Sequence, residues 1–498
     1  MLIVGAGLSG IGVARRLSAE LPDLAYAVLE ARGATGGTWD QFRFPGVRAD
    51  SDMYTLGYAD RPWTGRASMP PGEQILRYIR EAAAEGGVEA RIELNHRVRR
   101  ISWSSASARW CVDVERGGTG EVVRLHSRWV FAAGGYYSYD AGFTPMIEGQ
   151  DRFTGRVVHP QEWPEDLDCA GKRVVVIGSG ATAITLVPAL AERAALVTMV
   201  QRTPTYVMPA PIQDKLAARL SRTLGTDRGY ATTRRIRIGS QALTWRFCRR
   251  YPRLARRLIR SINAAQLPDG FEVDTHFNPP YDPWDQRLCA SPGGDFFRAI
   301  RDGSAAVVTD RIASFTEAGL RLESGRELPA DAVVTATGLQ LQTFGGFQVV
   351  VDGVRVHLPD RVVYKGMMLS DVPNLAFAIG YTNASWTLKV DLVAEHFCRL
   401  LRHLRDERRA ACRPVLPANG MTLRPLFDFG AGYIRRAVDE LPRQGDIDPW
   451  RMSMRYRDDL ALLRDGPVLD EWLQLTPADP TPAEPVPAHL AQPAGGHR

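Results

Sequence analysis

The chain is poor in paired cysteines. Its six, at 111, 169, 248, 289, 398 and 412, include no C-x-x-C pair. That spacing leaves out the common zinc sites and redox dithiols, so no metal is expected, and a reducing cytoplasm is the expected home. Long apolar runs are also missing, since none reaches the roughly 18 residues that a membrane-spanning helix needs. No charged leader precedes the first strand, so no secretory signal is expected. The first strand, Met1–Val4, is short, which is read equally as a start a few codons upstream or as a sheet that tolerates a short strand. Charge of one sign is not in excess: the net charge is +6 over 498 residues, too dilute to argue for nucleic acid. A hydrophobic content of 45% and a charged content of 24% are those of an ordinary globular protein. The length exceeds one hydrophobic core and predicts two or three domains.

What is present is a repeated pattern. Residues 1–30 read strand, glycine turn, helix to Leu21, and a second strand ending on Glu30. Alternating strands follow over 98–132, and Trp129–Gly135 returns to a parallel sheet. A second strand–turn–helix–strand begins at Arg173, with a helix to Arg193 and a strand over Leu196–Val200. An arginine-rich, largely helical insertion is predicted over 206–267. Strands at Ala305–Thr309 and Ala332–Gly338 follow, then a late amphipathic helix over Val390–Leu404. The expected fold is α/β, with two Rossmann-like dinucleotide-binding domains, the second inserted in the first. The expected boundaries are 1–145 and 326–475 for the first domain, 146–325 for the second, and a Pro- and Ala-rich disordered tail over 476–498.

The two turns have opposite partners. Gly5, Gly7 and Gly10 follow a strand and open a helix, with Glu30 twenty residues after Gly10. The first glycine makes the turn, the second admits a pyrophosphate, and the third packs helix on strand. The helix N-terminus stabilises the phosphate charge, and the acid accepts from ribose hydroxyls. Gly178, Ser179, Gly180, Ala181, Thr182 and Ala183 repeat the layout, but the residue nineteen after Ala183 is Arg202, followed by Thr203. A guanidinium there pairs with a 2′-phosphate that an acid would repel. The first site is therefore read as FAD-binding and the second as NADPH-binding. Gly36-Gly37, close after Glu30, suits the extended form of FAD.

Two longer segments resemble a known family. Gly36-Gly37-Thr38-Trp39-Asp40-Gln41-Phe42-Arg43-Phe44-Pro45-Gly46-Val47-Arg48-Ala49-Asp50 fits the pattern [AG]-G-x-W-x4-[FY]-P-[GM]-x3-D, and Phe153–Pro164 fits F-x-G-x3-H-x3-W-[PD]. Both are patterns of the Baeyer–Villiger monooxygenases, and the similarity runs through Trp284–Cys289 and Gly380–Trp386 to cover nearly all but the tail. The resemblance implies that Ser9, Glu30, Gly37, Thr38, Trp39, Asp40, Gln41, Asp50, Val98 and Trp386 serve the flavin site. It gives Arg48, Ala49, Asp50, the 178–183 turn, Arg202 and Thr203 to NADPH. Arg287 resembles the family's active-site arginine, with Asp50 orienting it, and His159 is implied to act at the domain junction, not as a direct base. The implied reaction is oxidation of ketones by O2 to esters or lactones through a C4a-peroxyflavin, with S-oxygenation of sulfides and thioamides beside it. Many relatives place lysine before the catalytic arginine, where this chain has Gln286; the preference for NADPH then rests on Arg202.

Other readings are a flavin-containing N- or S-oxygenase and a catalytically silent NADP-sensing protein. Trp163-Pro164 speaks against the first and Arg287 with Asp50 against the second. A disulfide reductase would need a cysteine pair after Gly37. Residues 214–260 hold thirteen arginines and Lys215 against Asp214 and Asp227, with Trp245, Phe247 and Tyr251 among them. This segment is read as a solvated lid over the substrate or as a peripheral contact with an anionic membrane. No nucleic-acid partner is expected, and oligomeric state is not legible.

Overall fold

The computed structural model describes residues 1–427 and 430–477. Strand β1 (Leu2–Val4) is apolar and buried throughout, as a strand in the middle of a sheet must be. It leads into helix α1 (Leu8–Glu20), which returns the chain to β2 (Ala27–Leu29). Strand β1 pairs in parallel with β2 on one side and with β3 (Val130–Ala132) on the other. Beyond β2 the seven-stranded sheet ends in Ile92–Glu93. Beyond β3 it takes Leu375–Phe377, Met368–Leu369 and Val363–Tyr364 from much later in the chain. The first sheet is thus closed by two distant stretches of sequence.

A meander of His96–Ser104, Arg109–Arg116 and Val122–Ser127 packs on this sheet, with Trp110, Val112 and Val114 turned into the core. The chain leaves it at Ser127, and Val130 already belongs to the parallel sheet. Strand Tyr137–Gly142 then carries the chain out of the first unit and pairs antiparallel with the returning Leu339–Leu341.

The second unit is built on β4 (Arg173–Ile177), α2 (Ala181–Ala191) and β5 (Leu196–Gln201). Its five-stranded sheet is wholly parallel, in the order Ala305–Thr309, β5, β4, Ala332–Thr335, Arg156–Val158. Parallel neighbours need a crossover, and the longest one here, from β5 to Ala305, holds the insertion. Its helices are α3 (Lys215–Leu224), α4 (Thr226–Arg250) and α5 (Pro252–Ala264).

The insertion is not a uniform basic face. Arg234 points inward from α4, buried, and donates to the carbonyls of Tyr54 (2.9 Å) and Gly57 (2.7 Å) and to Asp391 (2.7 Å). Arg237 pairs with Asp214, and Tyr230 donates to the Tyr58 carbonyl at 2.9 Å. These bonds hold α4 against the first unit.

Helix α6 (Trp386–Asp406) begins four residues before the expected Val390, after Ser385. Val390, Val393 and Phe397 on it share a core with Val13 and Leu17 of α1. The ordered chain also passes the boundary expected at 475. Leu473–Pro477 pairs antiparallel with Arg409–Pro414, so Thr476 and Pro477 belong to a strand, anchored by buried Leu473. Residues 478–498 of the expected tail lie outside the described residues.

Candidate active site

Both strand–turn–helix units open into one cleft of about 1360 Å³. A site for one small molecule usually spans roughly 300–1,000 Å³, so this cleft has room for more than one ligand. Gly5, Gly7, Ser9 and Glu30 line one part of it, with Gly37, Thr38, Trp39 and Val98. Gly178, Ser179, Gly180, Ala181, Thr182, Arg202 and Thr203 line another, and Arg48, Ala49, Asp50, Arg287 and Trp386 lie on its walls.

Each turn begins with a glycine that no other residue could replace without strain. Gly5 has φ +105° and a Cβ there would stand 2.7 Å from the Ala133 carbonyl oxygen; Gly178 has φ +123°, and its Cβ would overlap the Ala336 carbonyl. Gly10 and Ala183 sit one turn into their helices, packed against protein and not on the cleft wall. Their role is to let helix meet strand.

Glu30, buried at the end of β2, accepts from the backbone N–H of Ala6 at 2.8 Å and of Arg32 at 3.0 Å. Burial raises its pKa, and those two bonds oppose the rise. Each carboxylate oxygen keeps a second lone pair for a ribose hydroxyl. Arg202, just past the end of β5, is exposed at the cleft and forms no ion pair among the described residues. Ser179 donates its hydroxyl to the Thr203 carbonyl at 3.1 Å, which ties the second turn to the Arg202 loop.

Two residues expected at a cofactor are elsewhere. Asp40 is buried behind the Thr38–Gln41 turn, where Arg32 and Arg80 each reach it at 2.7 Å. Its charge holds the Gly36–Gly37 loop in place, for Arg32 also donates to the Gly37 carbonyl at 3.2 Å. Gln41 does not line the cleft either. Arg48 does, but its guanidinium forms a two-pronged pair with Asp295 at 2.5 and 3.2 Å, so its charge is already met.

Arg287 and Asp50, 237 residues apart in the chain, meet on the cleft wall. Nε meets one carboxylate oxygen at 2.5 Å and Nη2 the other at 2.6 Å. The Arg287 side chain is 37% exposed, which leaves one edge of the guanidinium open to the cleft. Asp50 raises the arginine pKa above its usual range, against the effect of burial. The cation is therefore permanent and fixed.

His159 is not on the cleft wall. Its Nε2 donates to the Gly338 carbonyl at 3.1 Å, and its Nδ1 accepts from the Gln161 N–H at 3.2 Å. That pattern belongs to a neutral ring, and burial lowers its pKa. The ring packs against Gly142, between the two strands that join the units. Trp386 donates to the Ser9 hydroxyl at 2.8 Å and stacks on Tyr136 at 4.9 Å.

Three tyrosines escaped the sequence reading. Tyr136, Tyr137 and Tyr433 line the cleft, and the Tyr136 and Tyr137 hydroxyls are 2.9 Å apart. Two adjacent aromatics directly after the strand-ending Gly134-Gly135 were a usable signal. Tyr433 had none, since it comes from a short helix, Gly432–Ala437, far along the chain. Burial raises the pKa of all three, and Arg287 opposes it. Among the described residues no group of His, Cys, Asp or Glu is placed to hold a metal ion.

A family model for pyridine nucleotide-disulphide oxidoreductases matches residues 2–223. All six cysteines are unpaired, so that match reports the dinucleotide-binding architecture and not a dithiol. FAD-containing monooxygenase EthA of Mycobacterium tuberculosis (strain ATCC 25618 / H37Rv) is 48% identical over 475 residues, 95% of this chain and 97% of that protein. The chain belongs to the FAD-containing monooxygenases. Its fold matches that of an oxidised steroid monooxygenase bound to NADP, with TM-score 0.70 and 21% identity over 83% of this chain and 87% of that one. OTEMO in complex with FAD and NADP matches with TM-score 0.67 and 21% identity, over the same shares.

As a member of this family the chain is a flavoprotein monooxygenase with FAD as its cofactor. The residues present fit FAD at the first turn and a 2′-phosphorylated dinucleotide at the second. Two glycine turns with room before them, one followed by an acid and the other by a cation, are what a dinucleotide without and one with a 2′-phosphate require.

Proposed function

We propose that this monooxygenase carries out Baeyer–Villiger oxidation: a ketone, O2, NADPH and a proton give an ester or lactone, NADP+ and water. Sulfides and thioamides are oxygenated at sulfur in the same cleft. The observation that carries this reading is the two-pronged Arg287–Asp50 pair on the wall of a cleft shared by both dinucleotide turns.

The bound flavin, once reduced, supplies the activation of O2. The rest falls to the protein. Gly5, Gly7 and the α1 N-terminus hold the FAD pyrophosphate, Glu30 takes its ribose hydroxyls, and Thr38, Trp39 and Val98 border it. The 178–182 turn holds the NADPH pyrophosphate, and Arg202 with Thr203 takes the 2′-phosphate. Arg287 puts a preorganised cation where the reaction accumulates negative charge, and Asp50 keeps it aimed there. Trp386, pinned by Ser9 and Tyr136, shields the flavin side from water. His159 stays neutral and couples the two units at their crossing strands.

The cytoplasm is the proposed location, suited to six unpaired thiols. Among the described residues no helix is long and apolar enough to cross a membrane. Of the two readings of segment 214–260, lid or peripheral membrane contact, the second is proposed, for its outer side.

The test is the purified FAD-loaded protein with NADPH and O2 on a panel of ketones and sulfides, with products identified. Ester formation is expected, and Arg287→Ala should still reduce its flavin while ester yield falls about 10²- to 10³-fold. Hydrogen peroxide as the sole product with every substrate would refute oxygen transfer. Oxides of amines or sulfides without any ester would favour the N- or S-oxygenase reading instead.

A further inference from the structure

Helices α4 and α5 meet at Tyr251, and the two sides of that corner differ in character. The inner side grips the segment that leads to Arg287. Arg249 pairs with Asp285 at 2.5 Å, Arg256 donates to Asn278 at 2.7 Å, and Arg260 pairs with Asp274 at 2.5 Å.

The outer side shows apolar groups among cations. Leu243, Tyr251, Leu254 and Leu258 are 69%, 53%, 54% and 52% exposed. Leu254 and Leu258 are one helical turn apart, and so are Arg253 and Arg257, so α5 presents a leucine stripe beside an arginine stripe. Arg246 and Arg250 extend the cations onto the end of α4. None of these four arginines forms an ion pair among the described residues. No acidic residue occurs between Asp227 and Asp269.

Single exposed leucines are ordinary on a protein surface, but a group of them set among unpaired arginines without one acid needs a partner. A second copy of the chain would bring cations against cations. A nucleic acid would satisfy the arginines and leave the leucines wet. An anionic bilayer meets both, since guanidinium groups bind lipid phosphates while leucine and tyrosine side chains enter the boundary beneath them. Each such cation favours partitioning by about fivefold.

We propose that the α4–α5 corner docks the enzyme on an anionic lipid bilayer. Because the inner side of the same corner holds the segment that carries Arg287, docking sets the cleft beside the membrane, where apolar ketones and sulfides concentrate. This holds whichever of those substrates the enzyme prefers.

The test is sedimentation of the FAD-loaded full chain with phosphatidylcholine vesicles, with and without an added fraction of phosphatidylglycerol. The protein should pellet with the anionic vesicles only, and less so as salt rises. The double variant Leu254→Ser/Leu258→Ser should bind about 10- to 100-fold more weakly, and so should Arg253→Gln/Arg257→Gln. Both should keep their flavin and the wild-type rate of NADPH oxidation in vesicle-free buffer, which shows that they fold. Docking is refuted if the wild type stays in solution with anionic vesicles. It is equally refuted if the serine variant pellets as well as wild type, which would leave arginines acting alone. Dissociation of an oligomer by the serine substitutions, with vesicle binding unchanged, would give the face to a second copy and overturn the proposal.

Discussion

Glu30 and Arg202 stand at matching positions, each past the second strand of its unit, and differ in charge. Glu30 is buried and bonded to two backbone N–H groups, whereas Arg202 is exposed and its guanidinium has no partner among the described residues. A free guanidinium can give its full charge-assisted bond to a phosphate, worth about 1.5–3 kcal/mol. Arg202→Ala should therefore weaken NADPH binding about 10- to 100-fold and leave NADH nearly unchanged, as read by titration of the oxidised enzyme. Equal loss for both cofactors would remove Arg202 from the phosphate. Arg48, although on the cleft, should matter less for charge, because Asp295 already neutralises it. Nothing in the sequence separates two such arginines: their partners lie far away in the chain, and only the fold shows which charge is spent.

At the scale of elements, α6 and α4 each carry a buried polar group that ties the helix to the rest of the molecule. His396 on α6 is fully buried, and its Nδ1 donates to the Leu463 carbonyl at 2.8 Å. Burial above all, with Lys365 nearby, lowers its pKa from 6.5 to about 4. A depressed folded-state pKa means that the native state takes up its proton late. The neutral histidine thus contributes its full stability above pH 6.5, and loses it as the pH falls through 4. Over that window the group removes about 3 kcal/mol. Denaturant unfolding at stepped pH should show this slope, and His396→Gln should flatten it; an unchanged slope would place the acid sensitivity elsewhere. For α4 the group is Arg234, whose partner Asp391 is pushed up to about 6 by burial against the pull of that arginine. Arg234→Ala leaves a buried carboxylate unpaired and should cost about 3–5 kcal/mol. Limited proteolysis should then cut within α3–α5 first, and uniform protection would show that α4 is held by other contacts.

For the molecule as a whole, the legible part was what short-range patterning controls. Each strand–glycine–helix run was visible because its period and its turn chemistry lie within about 30 residues. The strands that lead to Gly135 and Gly338 followed from the same patterning. Three things did not. Asp40 looked like a cofactor contact but holds a loop, since its arginines come from residues 32 and 80. The tyrosine group needs Tyr433 brought back from near the end of the chain. The basic insertion could not be divided into inward and outward arginines until Asp391, Asp285 and Asp274 were in place.

The seven-stranded sheet has a consequence for synthesis. Strand β3 must wait for its outer neighbour, Leu375–Phe377, and Ser9 for Trp386, while the five strands of the second sheet all lie between Arg156 and Thr335. At about 5–20 residues per second the ribosome needs roughly 10–50 s to span that gap. The unit begun second is therefore the first that can close. The nascent first sheet waits with an open edge and an unfinished flavin pocket. Slower translation before codon 375 would prolong that exposure, and a ribosome stalled there should yield a chain that retains NADP+ but not FAD.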